Sequence, residues 1–109
     1  MNTFAQLFKY YRLRSGIASL TEFADAFANK GYFYELSIFS HWQKGNRTPT
    51  KRPVVMMVVT VFIERGGIVS VAQANDLLES AGHGYLTDRE RERFFTSKIT
   101  TPSVSATVL

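Results

Sequence analysis

Between residues 37 and 52 the chain gathers short hydroxyls, an imidazole, an amide and cations that could meet a polar partner: Ser37, Ser40, His41, Asn46, Lys44, Arg47, Lys51 and Arg52. These groups suit hydrogen bonding to polar edges and the gripping of anions. They do not make a bond-breaking site. His41 and His83 share no HxxE or HxxxH spacing, and the carboxylates nowhere pair in a polar run. Gly66-Gly67 and Gly82-His83-Gly84 lack the lysine and the spacing of a phosphate loop. The chain therefore reads as a non-enzyme, with no catalytic residue, no metal site and no cofactor expected.

The charge supports the anion reading. Residues 1–65 carry nine Lys and Arg against Glu22, Asp25, Glu35 and Glu64, whereas residues 66–109 carry four bases against five acids. A basic first half fits a polyanionic partner. With 45% apolar and 20% charged residues over 109 positions, one folded domain is expected rather than a disordered chain. Cysteine is absent, which excludes disulfides and thiolate metal sites. The start, MNTFAQLFKYY, lacks the pattern of a secretory signal. The most apolar stretch, Val54 to Ile63, spans ten residues, against the roughly 20 needed to cross a bilayer. The expectation is a cytoplasmic protein with no membrane contact.

The elements that must position these groups are helices. Phe4, Leu7, Phe8 and Tyr11 recur at helical spacing from about Thr3 to Ser15, and Gly16 stops the run. Ser19-Leu-Thr-Glu22 is a capping-box pattern opening a second helix to about Lys30, with Leu20, Phe23, Ala24 and Phe27 inward. Tyr32-Phe33-Tyr34 reads as a packed turn. A third helix is predicted from Glu35 to Lys44, with Leu36, Phe39 and Trp42 inward and Ser37, Ser40, His41 and Lys44 elsewhere. Pro53 suits the first turn of a fourth, nearly all-apolar helix to Arg65, the expected core helix or a dimer seam. Ser70-Val-Ala-Gln73 and Thr87-Asp-Arg-Glu90 are further capping patterns, opening helices to about Ser80 and Phe95. The fold class is thus all-α, a compact domain of five to six helices over residues 1–95. Residues 96–109, rich in Ser and Thr, read as a flexible tail or linker.

Residues 19–53 then form one unit: a capped helix, a turn, an amphipathic helix and a basic loop. The second helix of such a pair can lie in the DNA major groove, about 12 Å wide. On that reading Ser37, Ser40 and His41 meet base edges. Ser19, Lys44, Asn46, Arg47, Lys51 and Arg52 meet phosphates.

The string Phe39-Ser-His-Trp-Gln-Lys-Gly-Asn-Arg-Thr-Pro49 resembles the phage-repressor/Cro-type (XRE-like) helix-turn-helix family. Leu20-Thr-Glu-Phe-Ala24 resembles that family's first motif helix, and Arg12 its first-helix arginine. The resemblance covers about residues 4–65. It implies a lambda-repressor-like fold, binding of double-stranded DNA and transcriptional regulation. Two departures stand out: the turn before Phe39 is about five residues longer than the family's compact form, and Gln43 stands where the family has Glu. A salt bridge to Arg12 thereby becomes a hydrogen bond.

Residues 73–82, with Leu86 and the charged helix after it, look like the segment that follows such motifs at the front of some large bacterial signalling ATPases. The alternative reading is therefore an adaptor that keeps the helix-turn-helix body and binds protein. It would expose Tyr32, Phe33 and Leu36 as an apolar patch. A homodimer or a larger protein partner fits either reading.

Overall fold

Hydroxyl side chains set the starts of four helices by taking over amides that the first turn leaves unpaired. The computed structural model describes residues 3–96. It contains α1 (Phe4–Arg14), α2 (Leu20–Asn29), α3 (Leu36–Lys44), α4 (Arg52–Glu64), α5 (Val71–Ser80) and a short α6 (Asp88–Arg91). A π-helical turn, Glu92–Thr96, follows α6. No strand occurs among the described residues, and no helix there is long and apolar enough to cross a membrane. The tail expected over 97–109 lies outside the described residues.

The caps follow the sequence with one refinement. Thr87 and Glu90 form the full reciprocal box, at 3.1 and 2.9 Å. Thr3 and Gln6 form another that the sequence reading passed over, at 3.2 and 2.9 Å. Ser19 and Ser70 accept from the amides of Glu22 and Gln73 as expected. The Glu22 and Gln73 side chains, however, reach one residue further back, to the amides of Ala18 and Val69. The last helix also differs: the regular coil ends at Arg91 and widens into the π turn, where consecutive Phe94 and Phe95 are both half-buried.

The core is aromatic and draws on four helices. Phe8 of α1 meets Phe23 of α2, Trp42 of α3 and Phe62 of α4, with ring centroids 5.0, 5.8 and 6.0 Å apart. Phe27 and Phe39 extend the cluster, 5.5 Å apart and edge to face. Five of these rings (Phe8, Phe23, Phe27, Phe39 and Phe62) are fully buried, each contributing about 2–3 kcal/mol through removal from water. α4 is the central helix: Val54, Val55, Val58, Val59, Val61 and Phe62 are buried, and Met56, Met57, Thr60 and Ile63 are half-buried. α5 closes the other side with Ala74, Leu77 and Leu78. The loop before α5 comes so close to α1 that a Cβ on Gly67 would lie 2.0 Å from Ser15 Oγ.

Two sequence expectations need correction. Tyr32 and Tyr34 do pack, with rings 5.4 and 5.8 Å from Phe27, but Phe33 between them is 79% exposed. No helix or turn occurs over residues 32–35, and the side chains alternate between packed and exposed. Leu36, expected inward with Phe39 and Trp42, is 46% exposed. Residues spaced by three drift about 60° around a helix at each step, so Leu36, at the first position of α3, falls at the edge of the face that Phe39 and Trp42 bury.

Candidate nucleic-acid interface

α3 is fixed from beneath. Phe39 and Trp42 are buried, Trp42 edge-on to Phe4, Phe8, Phe27 and Phe39. That leaves Leu36, Ser37, Ser40, His41 and Lys44 on the opposite side, at spacings of three and four that align them along one face. Ser40 and His41 are half-buried, while Leu36, Ser37 and Lys44 are exposed. The three expected base-reading residues therefore do come together.

The C-terminal end of α3 turns sharply at Gly45, whose φ of +84° favours glycine. The amides of Asn46 and Arg47 both donate to the His41 carbonyl, at 3.0 and 3.3 Å. The basic loop is thus held close under the helix end. The Asn46 side-chain amide lies 3.2 Å from His41 Nδ1, within hydrogen-bond reach of the ring. Asn46, expected at a phosphate, is exposed and in contact with His41.

Gln43 confirms the hydrogen bond expected in place of an ion pair: Arg12 Nε and Nη2 donate to its Oε1 at 3.2 and 3.0 Å. Arg12 is buried, at 5% exposure, and its Nη1 donates to the Ile17 carbonyl at 2.8 Å. This guanidinium ties α1, the α1–α2 loop and α3 together, and so fixes how α3 is presented.

The cations divide into two groups. Lys44, Arg47 and Lys51 are exposed, and among the described residues none pairs with a carboxylate. Lys9 of α1 joins Lys44 on an open cleft of about 640 Å³ that Gln6 and Thr48 also line. The sequence reading missed Lys9 because its neighbour lies 35 positions away. Arg52 departs from expectation. Its guanidinium is forked onto Glu90, Nη2 to Oε1 at 2.8 Å and Nε to Oε2 at 3.4 Å, and it also donates to the carbonyls of Gly84 and Tyr85. It fastens the α5–α6 loop and α6 to the start of α4 and leaves the set of expected phosphate contacts. Ser19 stands at the head of α2, its Oγ engaged as the cap acceptor.

The one acid at the leading end of α3 is Glu35, an exposed N-cap residue whose side chain makes no capping bond. The α3 face therefore runs from Leu36, next to the acid Glu35, through hydroxyls and imidazole to Lys44, and the exposed cations Arg47 and Lys51 follow in the next loop. Comparison with known proteins adds no relative: the chain matches no protein-family model, no curated protein and no solved structure.

Proposed function

We propose that this domain binds double-stranded DNA. α2 and α3 serve as a helix-turn-helix, and α3 enters the major groove, in the service of transcriptional control in the cytoplasm. One observation carries the reading: a helix clamped by buried aromatic rings presents Ser37, Ser40, His41 and Lys44 on one face and leads into a loop with Arg47 and Lys51, three exposed cations with no carboxylate partner among the described residues. Hydroxyls and imidazole suit base edges, and the unpaired cations suit the phosphates on either side. No catalytic role is assigned. Ser37, Ser40 and His41 read bases; Lys44, Arg47 and Lys51, joined by Lys9, grip phosphates.

A gel shift with random duplex DNA at low and moderate salt tests the reading. Binding that weakens steeply as salt rises is expected, because cations on phosphates release counterions. No shift even at low salt would overturn it.

The adaptor reading has its own observation, since Phe33 and Leu36 are exposed although Tyr32 is not. It takes first place if DNA binding fails.

A further inference from the structure

Phe33 is the most exposed large apolar side chain among the described residues, at 79%. Leaving a phenyl ring in water forgoes about 2–3 kcal/mol of burial. The ring does not sit on a loose loop, because Tyr32 and Tyr34 on either side pack their rings against Phe27. Tyr34 also stacks on Phe39, 6.0 Å away. The chain thus anchors both neighbours and presents Phe33 outward. Three residues later Leu36 is 46% exposed, on the α3 face that also carries Ser40 and Lys44 at four-residue spacing.

We propose that Phe33 and Leu36 read the 5-methyl groups of thymine in the major groove, so that the preferred site carries thymines under the leading end of α3. The inference rests on the DNA-binding reading and adds its specificity.

Three features favour thymine over a protein surface. First, thymine is the base that presents an apolar group in the major groove, next to hydrogen-bonding edges, and an apolar pair followed by hydroxyls and imidazole matches that sequence of chemistry. Second, exposed Lys44 lies on the same α3 face as Leu36, eight residues on, so a partner that covers both offers negative charge as well as apolar points. Third, Glu35 lies between Phe33 and Leu36 and is exposed. A carboxylate there repels phosphate, which sets the leading end of α3 against base edges and the cationic end against the backbone.

The test begins with selection of a preferred duplex from a randomised pool by the full chain. Each thymine of that duplex is then replaced by deoxyuridine, which removes the methyl and nothing else. Loss of about fourfold in affinity per critical methyl is expected at one or two positions. Phe33→Ser and Leu36→Ser should bind the thymine duplex more weakly and lose the thymine-over-uracil preference at those positions. Phe33→Leu should retain it. Both side chains are exposed, so thermal melts of the variants should match the parent. If the parent binds thymine and deoxyuridine duplexes equally, the methyl reading is overturned while DNA binding stands. If selection yields no duplex and random DNA is not bound at low salt, both fail, and the exposed pair belongs to a protein contact.

Discussion

Arg12 on α1 and Gln43 on α3 are joined by two hydrogen bonds to a single amide oxygen, at 3.2 and 3.0 Å. The guanidinium is buried, and among the described residues it has no carboxylate partner. Its charge is met by dipoles alone, the Gln43 amide and the Ile17 carbonyl. Such a cation is satisfied in hydrogen bonds but not in charge. Gln43→Glu should therefore stabilise the fold near neutral pH by about 1 kcal/mol. Arginine would hold the introduced carboxyl below its unfolded pKa, so the gain is present above that value and lost as the pH falls through the folded one. Arg12→Ala should cost about 3 kcal/mol, because it orphans both acceptors and removes a packed stem. Thermal melts at pH 7 and pH 3 check both outcomes.

Trp42 touches the rings of Phe4, Phe8, Phe27, Tyr34 and Phe39 and is 4% exposed. Trp42→Ala should destabilise the domain by about 3–5 kcal/mol, seen as a lower denaturation midpoint. A variant that melts like the parent would mean that α3 is rotated from the orientation described.

The helices were legible because local chemistry writes them: Ser19 before Leu20, Phe23 and Phe27 gives both a start and a buried face. The face of Ser37, Ser40 and His41 was legible for the same reason, being what remains once Phe39 and Trp42 turn inward. What escaped depends on partners distant in sequence. Arg52 looks like one more cation in a basic loop until Glu90, 38 residues on, takes it. Asn46 depends on the tight turn at Gly45 that brings it back to His41. Phe33 was hidden by its neighbours, since three aromatics in a row look equally buried until the packing of Tyr32 and Tyr34 on Phe27 is known.

Gly67 and Gly66 are adjacent but resist substitution for different reasons and to different degrees. A Cβ at Gly67 would lie 2.0 Å from Ser15 Oγ and 2.7 Å from the Tyr11 carbonyl oxygen, whereas at Gly66 nothing lies within 4 Å but φ is +81°. Gly67→Ala should cost about 3 kcal/mol by forcing α1 and the loop apart. Gly66→Ala should cost only about 1 kcal/mol, the strain of a left-handed residue. Adding Ser15→Ala should recover only part of the Gly67 loss, because the Tyr11 carbonyl stays in the way.

Glu90 gives the C-terminal extension a pH dependence. Its hydrogen bonds from Arg52 hold its carboxyl below the usual range; partial burial works the other way, and Thr87 reinforces the lowering. A carboxyl depressed in the folded state adds stability above its unfolded pKa of about 4.3, and that stability is lost as the pH falls through the folded value. Glu90→Gln should lower stability by about 1 kcal/mol at pH 7, and the gap to the parent should close on acidification toward pH 3. Paired melts across that range decide it; a gap that stays constant with pH would mean the charge does not matter.

Arg47 and Arg52 are close in sequence, and the structure separates their roles. Arg47 is exposed, tied only through its backbone to the His41 carbonyl, and its side chain pairs with no carboxylate among the described residues. Arg52 makes four hydrogen bonds to Gly84, Tyr85 and Glu90. If α3 lies in the groove, Arg47 grips a phosphate and Arg52 holds the fold. Arg47→Ala should weaken binding to specific and random duplexes alike and flatten the salt dependence by about one unit of slope, with the melt unchanged. Arg52→Ala should do the reverse, lowering the melt by loosening α6 from α4 while leaving the salt slope as it was. His41→Ala supplies the third pattern: affinity for the preferred site should fall by about 1–3 kcal/mol, with random DNA and the slope unaffected. An Arg52→Ala variant that keeps its melt and loses a unit of slope would put Arg52 back among the phosphate contacts. It would also mean that Glu90 releases Arg52 when DNA binds.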